Sequence, residues 1–277
     1  MSIVIGIDAG ISSTKIIGIE DGKRIKSPMS ITGNDATAKI YGALGKYLHD
    51  NDIALENVEH IMVTGIGALG LKLPLLGIPT SPVDEFLANG RGARFDTGLD
   101  HLVVVSMGTG TSLVRVNGDD IRHIGGIGMG GGTLQGLSSL ILNTSDIETV
   151  NMMANVGYPE RVNIRIGDVC NEELDGLNGD ATASLFANAS QSLITDNDIA
   201  AGLVHMVLET IGSCAVLSQT DSGIKDFVLI GNLTQITYCK EIFPKLENLY
   251  KVHFHIPQYA QYCTALGAAL SYGYENE

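Results

Sequence analysis

The chain has 277 residues, 44 % of them hydrophobic, and a net charge of −14. It is long enough for one large domain or two ordinary ones and too apolar to be disordered. The charge argues against a nucleic-acid partner, whose affinity comes largely from Lys and Arg on phosphates, and against an anionic membrane surface. It leaves room for an anionic small ligand, because backbone N–H groups bind phosphate without side-chain charge.

Taken in chain order, Ser2–Ile7 is short and β-branched, so it reads as a buried strand. Asp8–Ser13 turns it, Lys15–Ile19 is the return strand, and Arg24–Ile31 reads as a third. Ala36–His49 carries Ile40, Leu44, Tyr47 and Leu48 at helical spacing. His60–Val63 is a strand, and Ser81–Glu85 leads into an Ala- and Gly-rich stretch ending near Thr97. The pattern then restarts. His101–Val105 is a strand, Gly108–Ser112 a polar turn and Leu113–Val116 the return. This echo of the first 20 residues implies two related halves meeting near Leu99. Gly132–Asn143, Ile147–Val156 and the apolar Asp198–Gln219 read as helices. Phe227–Ile230 and Val252–Ile256 are strands, and Thr264–Tyr272 is a closing helix. Alternation of strands and helices defines an α/β fold.

Four cysteines, Cys170, Cys214, Cys239 and Cys263, form no C-x-x-C pair and read as free thiols in a reduced compartment. The start, Met1 to Asp8, has no basic segment and is a strand rather than a leader. No run of about 18 apolar residues is evident, so a cytoplasmic location is expected.

Three glycine clusters carry the chemistry. The first turn is Gly6-Ile-Asp8-Ala-Gly10-Ile-Ser12-Ser-Thr-Lys15. Gly10 lets backbone approach a ligand, the hydroxyls and Lys15 suit a polyphosphate, and Asp8 can hold Mg²⁺ directly or through water. The competing reading is an ordinary hairpin turn. The second turn, Gly108-Thr109-Gly110-Thr111-Ser112, is neither a P-loop nor a dinucleotide fingerprint, but it repeats the first in the second half. Two such loops can face each other across a cleft and hold a nucleotide's phosphates. The third cluster, Ile124-Gly-Gly-Ile-Gly-Met-Gly130-Gly131-Gly132-Thr133-Leu-Gln135-Gly136-Leu137, is too glycine-rich for a strand or helix interior. It enters a helix at Thr133 and is expected to present free N–H groups to an anion. A carboxylate in Val83-Asp84-Glu85-Phe86 can take a proton from a substrate hydroxyl, or be one more surface acid.

Gly108–Ser112 followed by Gly125–Leu137 resembles type II pantothenate kinase, a family of the sugar kinase/Hsp70/actin superfamily. The resemblance extends through Gly6–Gly10, Asp84–Phe86, Gly179-Asp-Ala-Thr-Ala183, Ile230-Gly231 and Ala265–Ala268, nearly the whole chain. It implies two ribonuclease H-like (actin-like ATPase) domains, 1–98 and 99–277, around a nucleotide cleft. It also implies transfer of the ATP γ-phosphoryl group to the primary hydroxyl of pantothenate, the entry step of coenzyme A synthesis. In that frame Asp8 serves Mg²⁺, and Glu85 is the general base. Gly10, Ser12, Lys15, Gly108, Thr109, Gly110, Thr111, Gly130, Gly131, Gly132, Gln135, Gly136 and Gly231 frame the nucleotide. Glu85, Thr109, Thr111 and His123 meet the acceptor. The family's long helix makes a homodimer, which matches Asp198–Gln219, and an acyl-CoA thioester is a candidate regulator.

The sequence departs from the family where an Arg precedes the Gly-Gly segment: here the position is His123, with Arg122 one residue earlier. Neighbouring strand residues face opposite sides, so Arg122 substitutes only through a bulge, and a neutral His supplies less charge than Arg. Ile11-Ser12 replaces the usual Gly-Thr, and Gln258–Cys263 is bulkier than the family's segment. These departures keep two alternatives open: a kinase for a related hydroxyl acceptor, and a non-catalytic nucleotide- or acyl-CoA-binding paralogue. Activators of radical dehydratases share the superfamily but hold an iron–sulfur cluster with interface cysteines, a pattern these four do not match. Arg91 and Arg94 serve the surface or the cleft. Tyr259 and Tyr262 line the acceptor pocket or pack ordinarily. His253 and His255 share one strand face, as a metal pair or as a structural feature.

Overall fold

The computed structural model of the protein describes residues 2–25, 28–33, 35–170, 179–189 and 193–274. It opens with β1 (Ile3–Ala9), β2 (Ser13–Glu20), β3 (Lys23–Arg24) and β4 (Met29–Thr32). Then come α1 (Ala36–Asp50), β5 (Val58–Thr64), β6 (Thr80–Pro82) and α2 (Glu85–Thr97). These strands make one sheet in the order β3-β2-β1-β5-β6, with β4 also on β2. β1 runs antiparallel to β2 and parallel to β5. The expected third strand over Arg24–Ile31 is two short strands, and residues 26 and 27 of it lie outside the described set.

β7 (His101–Met107), β8 (Thr111–Asn117) and β9 (Asp120–Ile127) follow, with α3 (Gly131–Leu142) and α4 (Ile147–Ala154). Next are β10 (Ile164–Arg165), α5 (Ile166–Val169), β11 (Thr182–Ser184) and α6 (Asp196–Leu217). The chain ends with β12 (Asp226–Ile230), α7 (Cys239–Tyr250), β13 (His253–His255) and α8 (Cys263–Leu270). A second sheet has the order β13-β12-β7-β8-β9.

Two compact units result. The first comprises Met1–Ser106, Val114–Ile124 and Ile256–Glu277; the second comprises Met107–Leu113 and Gly125–His255. This division differs from the expected cut between residues 98 and 99. The closing helix α8 returns to the first unit, where α8 packs on β1, β2 and α2.

In the first unit, strand alternation gives β1 two apolar faces. Ile3, Ile5 and Ile7 join Ile16, Ile40, Leu44, Tyr47, Ile61 and Val63 beneath α1. Val4 and Met62 join Ala88, Ala268 and Ala269 on the other side. Gly6 sits on that second face, where an added Cβ would lie 1.9 Å from the Ala265 carbonyl oxygen. Only a residue without a side chain lets α8 seat there. Tyr47, fully buried, accepts a 2.7 Å hydrogen bond from the Gly18 N–H, and burial pushes its phenol up to about 12.

In the second unit α6 is the central helix. Ala200, Leu203, Val204, Val207, Leu208 and Ile211 are buried, and the helix packs against α3, α4 and α7. It is long and apolar enough to cross a membrane by composition, a feature that buried core helices share. Its start is fixed by Thr195 and Asp198. The Asp198 carboxylate accepts from the Thr195 N–H at 3.0 Å and the Tyr158 N–H at 2.9 Å. Burial works to raise the Asp198 carboxyl. These hydrogen bonds, with those from the Thr195 hydroxyl and Arg161, outweigh it and hold its pKa down at about 2.

Candidate functional site

Parallel β1 and β5 deliver their C-terminal ends side by side, with Asp8 in register with Lys15 on β2 and Thr64 on β5. Residues in register across paired strands share a sheet face. The Lys15 ammonium accordingly donates to the Asp8 carboxylate at 3.1 Å, with Asp8 6 % and Lys15 8 % exposed. Gly65, at φ +87°, runs close to the same carboxylate: a Cβ there would lie 3.0 Å from Asp8 Oδ1 and 2.7 Å from the Ala9 carbonyl. The first turn is pinned from below by Lys39. This buried lysine of α1 donates to the carbonyls of Gly10 at 3.4 Å and Ile11 at 3.1 Å. Ile11 is exposed at the turn's tip, and Ser12 beside it is also exposed. Lys39 escaped the sequence reading, although a lysine on the apolar face of α1 is a signal for a buried polar contact.

Glu85 is the first residue of α2. Asp84 caps the helix, its carboxylate accepting from the N–H groups of Phe86 and Leu87 at 2.9 and 3.0 Å. Burial raises the Glu85 carboxyl, the Asp8 charge raises it further, and Lys15 opposes both. The side chain keeps solvent access, so water screens part of this shift. Small residues set the position of α2. Cβ atoms at Gly92 and Gly267 would fall 2.1 Å from the Cys263 carbonyl oxygen and 1.7 Å from that of Ala88. Thr264 on α8 donates to the Asn89 side-chain oxygen at 2.7 Å.

The two candidates on β9 separate as alternation requires. His123 stacks on Phe86, the residue after Glu85, with ring centroids 4.0 Å apart and planes 14° apart. Arg122 points away, its guanidinium 2.6 Å from Asp120 and largely exposed. Arg122 is therefore engaged with Asp120 rather than brought to Glu85. Arg94 also serves the surface, with Asp100 and Asp119 each at 2.7 Å. Tyr259 is engaged by Arg24, whose guanidinium lies 5.0 Å from its ring and pairs with Asp96.

In the second unit the glycine clusters interlock. The Gly131 N–H donates to the Gly108 carbonyl at 2.8 Å and the Gly132 N–H to the Thr109 carbonyl at 2.9 Å. The Thr111 hydroxyl donates to the Met129 carbonyl at 2.8 Å. A Cβ on Gly130 would lie 2.5 Å from the Thr109 carbonyl oxygen, and one on Gly132 2.7 Å from Thr109 Cγ2. Gly231, at φ +96°, closes the group: a Cβ there would meet the Met107 carbonyl oxygen at 2.5 Å. The third cluster is thus not an open loop. Gly125 and Gly126 lie within β9, and α3 begins at Gly131. The first two helical N–H groups, expected to be free for an anion, are taken by the second turn's carbonyls. The Gln135 amide donates to the Ser145 carbonyl at 3.1 Å, and Gly136 stands in open space.

Remaining candidates resolve structurally. His255 pairs with Asp226 at 2.8 Å, and the His253 ring lies 6.4 Å from it. Among the described residues no group of three or more His, Cys, Asp or Glu is placed to hold a metal. Cys214, Cys239 and Cys263 are free thiols, with Cys239 and Cys263 buried. Thr182, in the Gly179–Ala183 motif, lies 3.2 Å from His205 Nε2 and donates to Glu209 at 2.8 Å. Glu209 also binds that same Nε2 at 2.7 Å. A nucleophile triad would need hydroxyl and carboxylate on opposite ring nitrogens.

This is the actin-like architecture, built of ribonuclease H-like units. The (R)-2-hydroxyglutaryl-CoA dehydratase component A of Acidaminococcus fermentans superposes with a TM-score of 0.73 at 20 % identity, covering 100 % of both chains. The activator of 2-hydroxyisocaproyl-CoA dehydratase from Clostridium difficile, solved with bound ADPNP, gives 0.70 at 16 %, covering 99 % of this chain and 95 % of that one. At these identities the likeness is one of fold. The family is set by sequence: the Fumble profile matches residues 99–271, and the chain belongs to that family, the type II pantothenate kinases. A type II pantothenate kinase of Bacillus thuringiensis subsp. konkukian is 28 % identical over 250 residues, 87 % of this chain and 86 % of the relative.

Proposed function

We propose that the protein transfers the γ-phosphoryl group of ATP to the primary hydroxyl of pantothenate, the first step of coenzyme A biosynthesis. The observation that carries this reading is the match to the type II pantothenate kinase family over residues 99–271, together with Glu85 at the head of α2, on whose carboxyl both Asp8 and Lys15 act. Burial and the Asp8 charge raise that carboxyl, the direction that suits a base for a hydroxyl proton. Glu85 accepts the proton of the pantothenate hydroxyl as its oxygen attacks the γ-phosphorus, and ADP leaves with the bridging electrons. Lys15 offsets charge on the phosphates. His123, fixed by its stack on Phe86, orients the acceptor. In the second unit Gly108–Gly110, Gly130–Gly132, Gln135, Gly136 and Gly231 frame the nucleotide.

Mg²⁺ fits the donor set, since Asp8 offers a carboxylate beside the unpaired hydroxyl of Thr64. When bound it neutralises charge on the transferring phosphate. Phosphoryl transfer asks for positioning and charge neutralisation more than covalent chemistry, which fits a site built from close-packed backbone. The protein acts in the cytoplasm as a homodimer through α6, with acyl-CoA as its regulator.

The test is purified protein with Mg-ATP and pantothenate, reading phosphopantothenate by mass spectrometry and ADP release in parallel. Product at a kcat of about 1–10³ s⁻¹ is the expected result. Nucleotide binding without phosphopantothenate refutes the acceptor assignment. His123 in place of the family's Arg favours the second reading, a kinase for a related hydroxyl acceptor.

A further inference from the structure

Thr64 ends β5 with a buried hydroxyl. The residue is 2 % exposed, and its Oγ1 is buried without a hydrogen-bond partner among the described residues. A buried hydroxyl left unmade costs about 1–3 kcal/mol, and valine would fill the same volume at no such cost. Its position is distinctive. Thr64 is in register with Asp8 across the parallel β1–β5 pair, and Asp8 is in register with Lys15. All three therefore stand on one face of the sheet. Gly65 follows at once with φ +87°, bringing backbone close to the Asp8 carboxylate. The strand thus ends by presenting an unused hydroxyl next to a carboxylate whose other neighbour is an ammonium. Thr14, whose hydroxyl is also unpaired, pairs with Ala9 and so belongs to the opposite face.

We propose that Thr64 is a positioning residue for a hydrated divalent cation at Asp8, its hydroxyl holding a water of the cation's shell. The inference rests on the Asp8–Mg²⁺ reading above. Magnesium keeps several of its waters and is bound through one or two carboxylates, so a protein that uses it must orient water as well as metal. A hydroxyl can both accept from and donate to such a water. That capacity gives the orphaned group its partner only when the cation is present, which accounts for its being unpaired in the protein alone.

The experiment titrates Mn²⁺ into the full-length protein holding ADP, read by electron paramagnetic resonance, alongside melting of the ligand-free protein. Thr64→Val should weaken Mn²⁺ binding about tenfold, the low end for loss of an outer-shell partner. Thr64→Ser should bind Mn²⁺ like the parent. Ligand-free Thr64→Val should melt at or above the parent, because an unpaired hydroxyl has been exchanged for a methyl group. Unchanged Mn²⁺ affinity in Thr64→Val, with affinity lost in Asp8→Asn, overturns the role of Thr64 and leaves the Asp8 reading standing. Unchanged affinity in both variants removes the cation from Asp8 and overturns both. A ligand-free Thr64→Val that melts well below the parent shows that the hydroxyl has a partner within the fold, and overturns the proposal as well.

Discussion

Gly267→Ala should damage stability and catalysis together. A methyl group at Gly267 would lie 1.7 Å from the Ala88 carbonyl oxygen, 2.6 Å from its carbon and 2.7 Å from the Gly92 nitrogen. Non-bonded carbon atoms settle at about 3.5–4 Å, so α2 and α8 must part by more than an ångström. All three neighbours are backbone, and no rotamer change relieves the clash. The cost belongs at the upper end of overpacking, about 3 kcal/mol, which lowers Tm by roughly 6–12 °C for a domain of this size. Because α2 carries Glu85 at its head, the same movement displaces the base. A misplacement of about 1 Å costs on the order of 10²-fold in rate. Scanning calorimetry and kcat measured well below the variant's Tm check the two effects. Gly45→Ala in α1 is the contrast: a Cβ there meets nothing within 4 Å, and exchanging a mid-helix glycine for alanine gains about 0.5–1 kcal/mol. A Gly267→Ala protein with the parent's Tm and kcat would refute the packing argument.

Glu85→Gln should lower kcat by about 10²–10⁴-fold while ADP binding is retained; parental turnover removes the base assignment. The acid limb of kcat/KM should lie above the ordinary carboxylate range, activity falling as pH drops through the raised Glu85 value. Lys15→Met, by removing the charge that lowers that value, should move the limb to higher pH. His123→Arg should raise kcat/KM for pantothenate by about tenfold, since Arg is always ionised and also stacks on aromatic rings; no change or a loss gives the His123–Phe86 stack a role of its own. Asp198 is depressed to about 2 in the folded state, against about 3.9 unfolded. Its contribution is complete above pH 4 and is lost as pH falls toward 2. Urea melts across that window should show a slope that Asp198→Ala removes, and an unchanged slope refutes the assignment.

Much of this was legible locally. The short β-branched runs at Ile3–Ile7 and Leu102–Val105, buried on both faces, and the apolar faces of α1 and α6 are strong signals because burial enforces them. Strand alternation anticipated that Arg122 and His123 would point apart. What escaped was non-local. The return of α8 to the first unit depends on Gly6, Gly92 and Gly267, whose meaning is the backbone they let approach. β9 runs through Gly125 and Gly126 despite poor strand propensity, since a Cβ at Gly126 would lie 2.8 Å from the Thr111 carbonyl oxygen. Helix α7 was hidden by Pro244 within it, and β6 by Pro82, which an edge strand tolerates. The N–H groups of α3 looked free because their acceptors come from a turn far back in the chain.

The placement of α8 also bears on how the chain is made. The face of the first sheet that carries Val4, Ile17 and Met62 is covered by an element synthesised after the whole of the second unit. Domains generally fold from the N-terminus while the chain emerges. Here β1, β2 and β5 leave the ribosome with one apolar face uncovered and keep it so until Ala265–Ala269 arrive. The second unit, Met107–Leu113 and Gly125–His255, emerges before that helix. The head of α2, with Glu85, gains its firm seat last.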